Sequence, residues 1–198
     1  AVCNARYEFT LVDVGDTGRQ ADGSVYANSY LGRAIVNKLL NFPEPDCIQN
    51  NPNITMPYVF LADDAFDLKP NLMKPYPDQY LPLDERIFNY RLSRARRVIE
   101  NTFGIAATRF RVFRRPIIAT EKKVILITKA VVALHNFLMR LSQRNSAYCY
   151  CPASYVDQEN PVRTTPGEWR SQAISEGLKP ISRRGSNNYC RKCKASER

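Results

Sequence analysis

Glu100 is the one carboxylate in the stretch RLSRARRVIENTF (residues 91–103), where it stands among Arg91, Arg94, Arg96 and Arg97. On a helix its neighbours at three, four and seven residues are Arg97, Arg96, Gly104 and Ser93. Two chemistries fit that setting. One is an Arg96–Glu100 surface pair, worth only about 0.3–0.5 kcal/mol and in the less favoured order of charges. The other is a metal-binding carboxylate flanked by arginines that meet phosphates. The local pattern leaves both open.

A second acid has a similar ambiguity. Asp63 ends the apolar run YVFLAD (58–63), where a strand would deliver its side chain to the edge of a sheet. Nucleases and strand-transfer enzymes place such carboxylates around one or two divalent ions. The ions activate a water or a 3′-hydroxyl and stabilise the leaving oxygen. Mg²⁺ keeps several waters, so three or four acids from different elements suffice. The plainer role for Asp63 is to cap the next turn, and the local pattern does not separate the two. Asp64 would point to the opposite face if the strand continued. Asp13, Asp16 and Asp22 crowd the first strand and its loop, where aspartates commonly form turns, so at most one or two would be ligands.

Positive charge is concentrated near Glu100. The chain of 198 residues carries a net charge of +10, with a pI near 9.5. Residues 84–123 hold eleven Lys/Arg against four Asp/Glu, whereas residues 1–83 are mildly acidic. A clustered basic block is the footprint expected of phosphate binding. Within it, TRFRVFRR (108–115) interleaves Arg109, Arg111, Arg114 and Arg115 with Phe110 and Phe113. Guanidinium forks suit phosphate oxygens. As a strand, the segment would put Arg109 and Arg111 on one face and Phe110 on the other. The expectation is a track along a DNA backbone, against the alternative of a solvated edge strand. Phosphate contacts of this kind position a nucleic acid without reading its sequence.

These residues need elements to hold them. YEFTLVDVG (7–15) alternates and is rich in β-formers, so it reads as a strand. The glycine-rich loop 15–24 follows, then a helix over 25–40 with Val25, Leu31, Ile35 and Leu39 or Leu40 on one side. PYVFLADDAF (57–66) reads as a buried strand. The pattern predicts a long helix over 81–105, with Asp84 as its N-cap, Gly104 as its stop and an apolar stripe of Leu92, Ala95, Ile99, Thr102 and Phe103. A strand over 107–118 and a strongly apolar helix over 121–141 complete the order. Strands alternating with helices imply an α/β domain with helices packed on a sheet. Beyond about residue 142 apolar periodicity is lost. Residues 1–142 are therefore read as the domain and 143–198 as an irregular tail, with a short ordered patch around Trp169 that docks the tail or binds a partner.

Composition narrows the class further. The hydrophobic fraction of 44% is that of a folded chain. The most apolar run, VILITKAVVAL (124–134), is interrupted by Lys129 and falls short of the roughly 18 residues of a membrane span. The first residues lack the basic start and apolar stretch of a signal peptide. The chain opens on Ala1 and reads as the downstream part of a longer protein. Six cysteines, Cys3, Cys47, Cys149, Cys151, Cys190 and Cys193, do not suggest a disulfide framework without a secretory signal. CYC (149–151) and CRKC (190–193) could together form a Cys₄ zinc site, but the first pair is one residue short of ordinary spacing, which favours unpaired thiols.

Four segments in order carry a resemblance. VDVGDTGRQADGSVYANS (12–29), VFLADDAFDLKPNLMKPYP (59–77), FNYRLSRARRVIENTFGIAATRFRVFRRPI (88–117) and AVVALHNFLM (130–139) resemble the Harbinger-type DDE transposases and their transposase-derived nuclease relatives over roughly residues 3–142. The most specific part is N-x-R-x-S-x-A-R-x-x-[IV]-E-x-x-F-G, met by Asn89, Arg91, Ser93, Ala95, Arg96, Ile99, Glu100, Phe103 and Gly104. The resemblance implies an RNase H-like mixed sheet with flanking helices, present in part. It implies a catalytic site holding Mg²⁺ or Mn²⁺ on Asp63 and Glu100, with Asp22 as an additional metal-site residue. It implies DNA as substrate, cut by hydrolysis or joined by strand transfer, with Arg94, Arg96, Arg97, Arg109, Arg111, Arg114 and Arg115 on the nucleic acid. A nuclear location, a separate DNA-reading partner protein, and an oligomer are compatible with it, and a membrane is not. His135 of the LHNF motif is expected to pack a helix. Two departures stand out. The family's first catalytic aspartate has no counterpart here, which implies an N-terminally truncated or decayed copy. Cys3-Asn4-Ala5 stands where many relatives have Cys-Asp-Ala. The alternative is a domesticated, non-catalytic module that binds DNA or protein.

Overall fold

A computed structural model describes residues 1–16, 22–48, 51–78, 80–144, 149–159 and 164–175. They fall into two units. One draws on Ala1–Gly15 and the stretch from Arg97 onward, the other on Asp16–Arg96. The fold mixes helices with four separate two-stranded pairs, three antiparallel and one parallel, among the described residues. This is consistent with the α/β class, although the expected single mixed sheet is not formed by them.

In the first unit β1 (Val2–Cys3) pairs antiparallel with β2 (Phe9–Leu11). Asn4 shapes the turn between them. Its Oδ1 accepts the N–H groups of Arg6 and Glu8 at 2.9 and 3.1 Å, and its Nδ2 donates to Glu8 Oε2 at 3.0 Å. An aspartate could not make the last bond, so the residue at this departure from the family pattern serves the turn. Helix α3 (Leu83–Arg109) gives its second half to this unit, and α4 (Glu121–Arg144) lies wholly within it. Asn136 of α4 pairs its side-chain amide with both backbone groups of Phe9, at 2.9 and 2.8 Å, as a neighbouring strand would.

His135 is fully buried. Its Nε2 lies 2.7 Å from the Tyr7 carbonyl and its Nδ1 3.1 Å from the Tyr150 hydroxyl. A carbonyl can only accept, so Nε2 carries the proton and Tyr150 donates to Nδ1. Burial lowers the imidazole pKa, against the opposing pull of that carbonyl and of Glu8. By length and composition α4 could cross a membrane, with a mean hydropathy of 1.6 over its best stretch. Its Asn136 bonds Phe9 of β2 and its His135 bonds Tyr7, two residues earlier.

The segment expected as an irregular tail with an ordered patch around Trp169 carries regular elements over 149–159 and 164–175. A 3₁₀ turn (Ala153–Tyr155), the pair β7 (Gln158–Glu159) and β8 (Thr164–Thr165), and α5 (Glu168–Ser175) follow α4. Tyr150 and Tyr155 join Ile105 and Met139 in the buried core, with Trp169 packed against it. These aromatic residues lack any period, so the sequence pattern could not show that they fill a core. Cys190 and Cys193 lie outside the described residues.

The second unit holds α1 (Asp22–Asn28), α2 (Tyr30–Val36), the exposed hairpin β3 (Asp46–Ile48) and β4 (Asn51–Met56), and the parallel pair β5 (Phe60–Leu61) and β6 (Leu72–Met73). The expected single helix over 25–40 is two, because the Ser29 hydroxyl accepts the Gly32 N–H at 2.9 Å and caps a new start. Leu39 then lies past the helix and is 68% exposed. The expected buried strand over 57–66 shrinks to two residues, with only Ala62 buried after them.

Two further expectations change on α3. Asp84 sits in its first turn, not at its cap, where its charge still suits the helix dipole. Gly104 does not stop the helix, which continues through the start of the expected strand at 107–118; a 3₁₀ turn (Arg111–Arg114) takes its middle. The stripe is partial, with Leu92 and Thr102 buried but Ala95 and Phe103 exposed.

Candidate active site residues

Asp63 follows β5 directly. Its Oδ1 accepts the Ala65 N–H at 3.1 Å, so it does cap the turn, and its Oδ2 meets Arg96 at 3.2 Å. The Asp63 side chain is 33% exposed and that of Arg96 is 26%. Asp22, expected in a loop, is the first residue of α1. The next residue fixes its neighbourhood. A Cβ on Gly23 would lie 2.7 Å from the Ala65 carbonyl oxygen, and the Tyr26 ring meets Phe66 edge-on at 5.1 Å. The first turn of α1 therefore lies against the 63–66 turn. Asn89 steadies the approach to α3 by bonding both backbone groups of Tyr76, at 2.9 and 3.1 Å.

In the other unit Glu100 is half exposed on α3. Its Oε2 lies 3.5 Å from an Arg170 Nη. Arg96, proposed as its partner from spacing alone, reaches Asp63 instead. Arg170 comes from the segment read as tail and is anchored there by Asp157. It donates from Nε at 2.9 and 3.2 Å and from Nη at 2.6 Å. Burial alone would raise the Asp157 carboxyl pKa. The bonds from Arg170 and the Gly167 N–H, with the charges of Arg170 and Arg97, outweigh it and hold that pKa below its ordinary value. The same pairing raises the Arg170 pKa.

The arginines expected on nucleic acid have diverse settings. Arg94 stacks over Tyr90 at 5.5 Å. Arg97 donates to the Thr164 hydroxyl at 2.7 Å. Arg109 covers the Tyr155 ring at 4.5 Å. Arg111 and Arg115 are exposed. Arg114 is buried, and its guanidinium donates to the carbonyls of Ala107 and Thr108 near the end of α3. That commitment to the helix end makes it a poor phosphate ligand. With a helix and a 3₁₀ turn in place of the strand, the alternation of faces expected for Arg109 and Arg111 is lost as well.

The family described as DDE superfamily endonuclease matches residues 1–136. The chain belongs to that family. No curated protein and no solved structure matches it. The match supports a nuclease or transposase-like function with DNA as its substrate. DDE endonucleases generally use divalent metal ions. Asp63 and Glu100 are hard oxygen donors open to solvent. An ion pair as exposed as Asp63–Arg96 is worth at most about 1 kcal/mol and would not bar a divalent cation. In type and accessibility the donors fit. In number they fall short, because no three Asp, Glu, His or Cys side chains among the described residues are grouped to hold a metal.

Sequence reasoning missed Asn101, Asp157 and Arg170. Asn101 is buried and its Oδ1 accepts the Trp169 indole N–H at 2.9 Å and the Asp157 N–H at 3.3 Å. The one available signal was the lone tryptophan in PGEWR (166–170), which marked a docking point without saying where it docks.

Proposed function

We propose that this chain is catalytic-domain sequence of a Harbinger-type DDE transposase or a transposase-derived nuclease, built on part of an RNase H-like fold. The observation that carries the reading is the family match over residues 1–136. Asp63 and Glu100 would hold Mg²⁺ or Mn²⁺, with Asp22 nearby. The bound ion would supply activation of a water or a 3′-hydroxyl and stabilisation of the leaving oxygen. The set needs one further carboxylate. Arg94, Arg96, Arg97, Arg109, Arg111 and Arg115 would hold phosphates. Arg96 is suited to it, since it can exchange the Asp63 carboxylate for a phosphate oxygen. A nuclear location, a separate DNA-reading partner and an oligomer would follow from the inferred substrate.

One observation favours a second reading. Both core acids carry an arginine, and three ligands are not gathered among the described residues. A domesticated module that binds DNA or protein without cutting would look the same. Titration calorimetry with Mn²⁺ on the chain and on Glu100→Gln separates the two. Binding lost in the variant supports the metal-dependent nuclease. Equal binding, or none in either, selects the non-catalytic module.

A further inference from the structure

The loop between the 3₁₀ turn (Arg111–Arg114) and α4 lifts one isoleucine clear of the first unit. Ile118 is fully exposed. It stands at the apex of a γ-turn, closed by the Ala119 N–H donating to the Ile117 carbonyl at 3.0 Å. Both stems are fixed. On one side the buried Arg114 ties the loop to the end of α3 by donating to the Ala107 carbonyl at 3.3 Å, and Pro116 holds Arg115 extended (φ −134°, ψ 155°). On the other side the Thr120 carbonyl accepts the Val124 N–H at 3.0 Å, which opens α4. Arg111 and Arg115 precede the apex, Lys122 and Lys123 follow it, and all four are exposed. Among the described residues none of the four joins an ion pair.

We infer that Ile118 is a wedge that this loop presses between base pairs of a DNA duplex, with the four basic residues gripping phosphates on either side. The inference rests on the reading of DNA as the substrate and needs no metal ion. A lone exposed isoleucine on a loose loop would carry no meaning, since apolar atoms make up much of any protein surface. This one is presented by a closed turn on fixed stems, so ordering it on a ligand costs little further entropy. Arg115 and Lys122 are three and four residues from it, so the chain keeps them within about 10–14 Å. The minor groove is about 6 Å wide, and long basic side chains at that distance reach its two phosphate walls while the isoleucine enters between them. Proteins that kink DNA use this combination, an apolar side chain at the opened step and cations on the backbone around it. A membrane surface would also attract the cations. Membrane anchoring, however, scales with apolar area, and one side chain supplies little of it. Opening a base step needs only one.

The test uses the full 198-residue chain in EDTA, so that cleavage does not intervene. The probe is a duplex rich in TA steps, which open easily, with 2-aminopurine at those steps. Anisotropy reads binding, and 2-aminopurine emission rises where a base unstacks. The unaltered chain is expected to bind and to raise the emission. Ile118→Ser should abolish the rise and weaken binding about tenfold, the gain from burying the side chain less the cost of opening the step. Ile118→Leu should retain both. Because the side chain is fully exposed, neither variant disturbs the fold. Arg115→Gln with Lys122→Gln should lower the slope of log affinity against log salt by about two, and an unchanged slope overturns the phosphate grip. DNA binding with no emission rise, or a rise that survives in Ile118→Ser, overturns the wedge and spares the DNA reading. Failure of the unaltered chain to bind the duplex overturns both. Phosphatidylserine vesicles are the remaining probe: vesicle binding lost in Ile118→Ser, with duplex binding unchanged, assigns the loop to a membrane surface and overturns the inference.

Discussion

Replacing Gly104 with alanine sets two physical effects against each other. Gly104 lies inside α3, and in a helix interior alanine is better than glycine by about 0.8–1.0 kcal/mol. Taken alone, that predicts a more stable protein. The new Cβ, however, would stand 2.3, 2.4 and 2.7 Å from three ring carbons of Trp169, where carbon–carbon contacts are normally about 3.5–4.0 Å. The ring is held by its bond to Asn101 and by Arg170 above it, so it must move by about an ångström and give up that bond. Overpacking of this kind costs about 1–3 kcal/mol, and the lost hydrogen bond about 1 more. Set against the helix gain, the net loss is about 2 kcal/mol, or a fall in Tm of about 4–8 °C. Thermal unfolding followed by circular dichroism gives the Tm, and Trp169 emission should shift to the red as the indole meets water. A Tm that rises with the emission unchanged would refute the close approach and leave helix propensity as the only effect.

Three other outcomes can be measured in solution. Asn136→Ala strips Phe9 of partners for its N–H and C=O and should cost about 2 kcal/mol in urea unfolding; a loss under about 0.5 kcal/mol would mean that water replaces the amide. His135 is buried neutral with a lowered pKa, so below about pH 6.5 the unfolded chain binds the extra proton more readily. Stability should be full above that pH and drain away as pH falls through the lowered folded value, a slope that His135→Gln should flatten in urea titrations from pH 7.5 to 5; an unchanged slope would assign it to other groups. Burial pushes the Cys151 thiol up to about 11, whereas Cys47 and Cys149 are exposed. Iodoacetamide at pH 8 should therefore label Cys47 and Cys149 well before Cys151, and equal rates by peptide mapping would contradict the burial of Cys151.

The parts of this protein that the sequence alone determined are those fixed by short-range rules. The helices around 83–109 and 121–144 are legible because their side chains repeat at helical period over many turns. The family was legible because its motifs are contiguous strings, and the acids of interest, Asp63 and Glu100, sit inside them. Tertiary structure decided what those acids touch. Arg96 goes to Asp63, and Glu100 meets Arg170, seventy residues away. No local spacing encodes a contact of that range. The same holds for Gly104, whose local signal is a helix stop but whose role is to admit a tryptophan ring. It holds for Asn136 and His135, which bond backbone groups more than a hundred residues earlier. The stretch from 149 to 175 was illegible for a related reason. Its buried tyrosines and its tryptophan belong to turns and short elements, and a residue there enters a core only because another segment supplies the surface it covers.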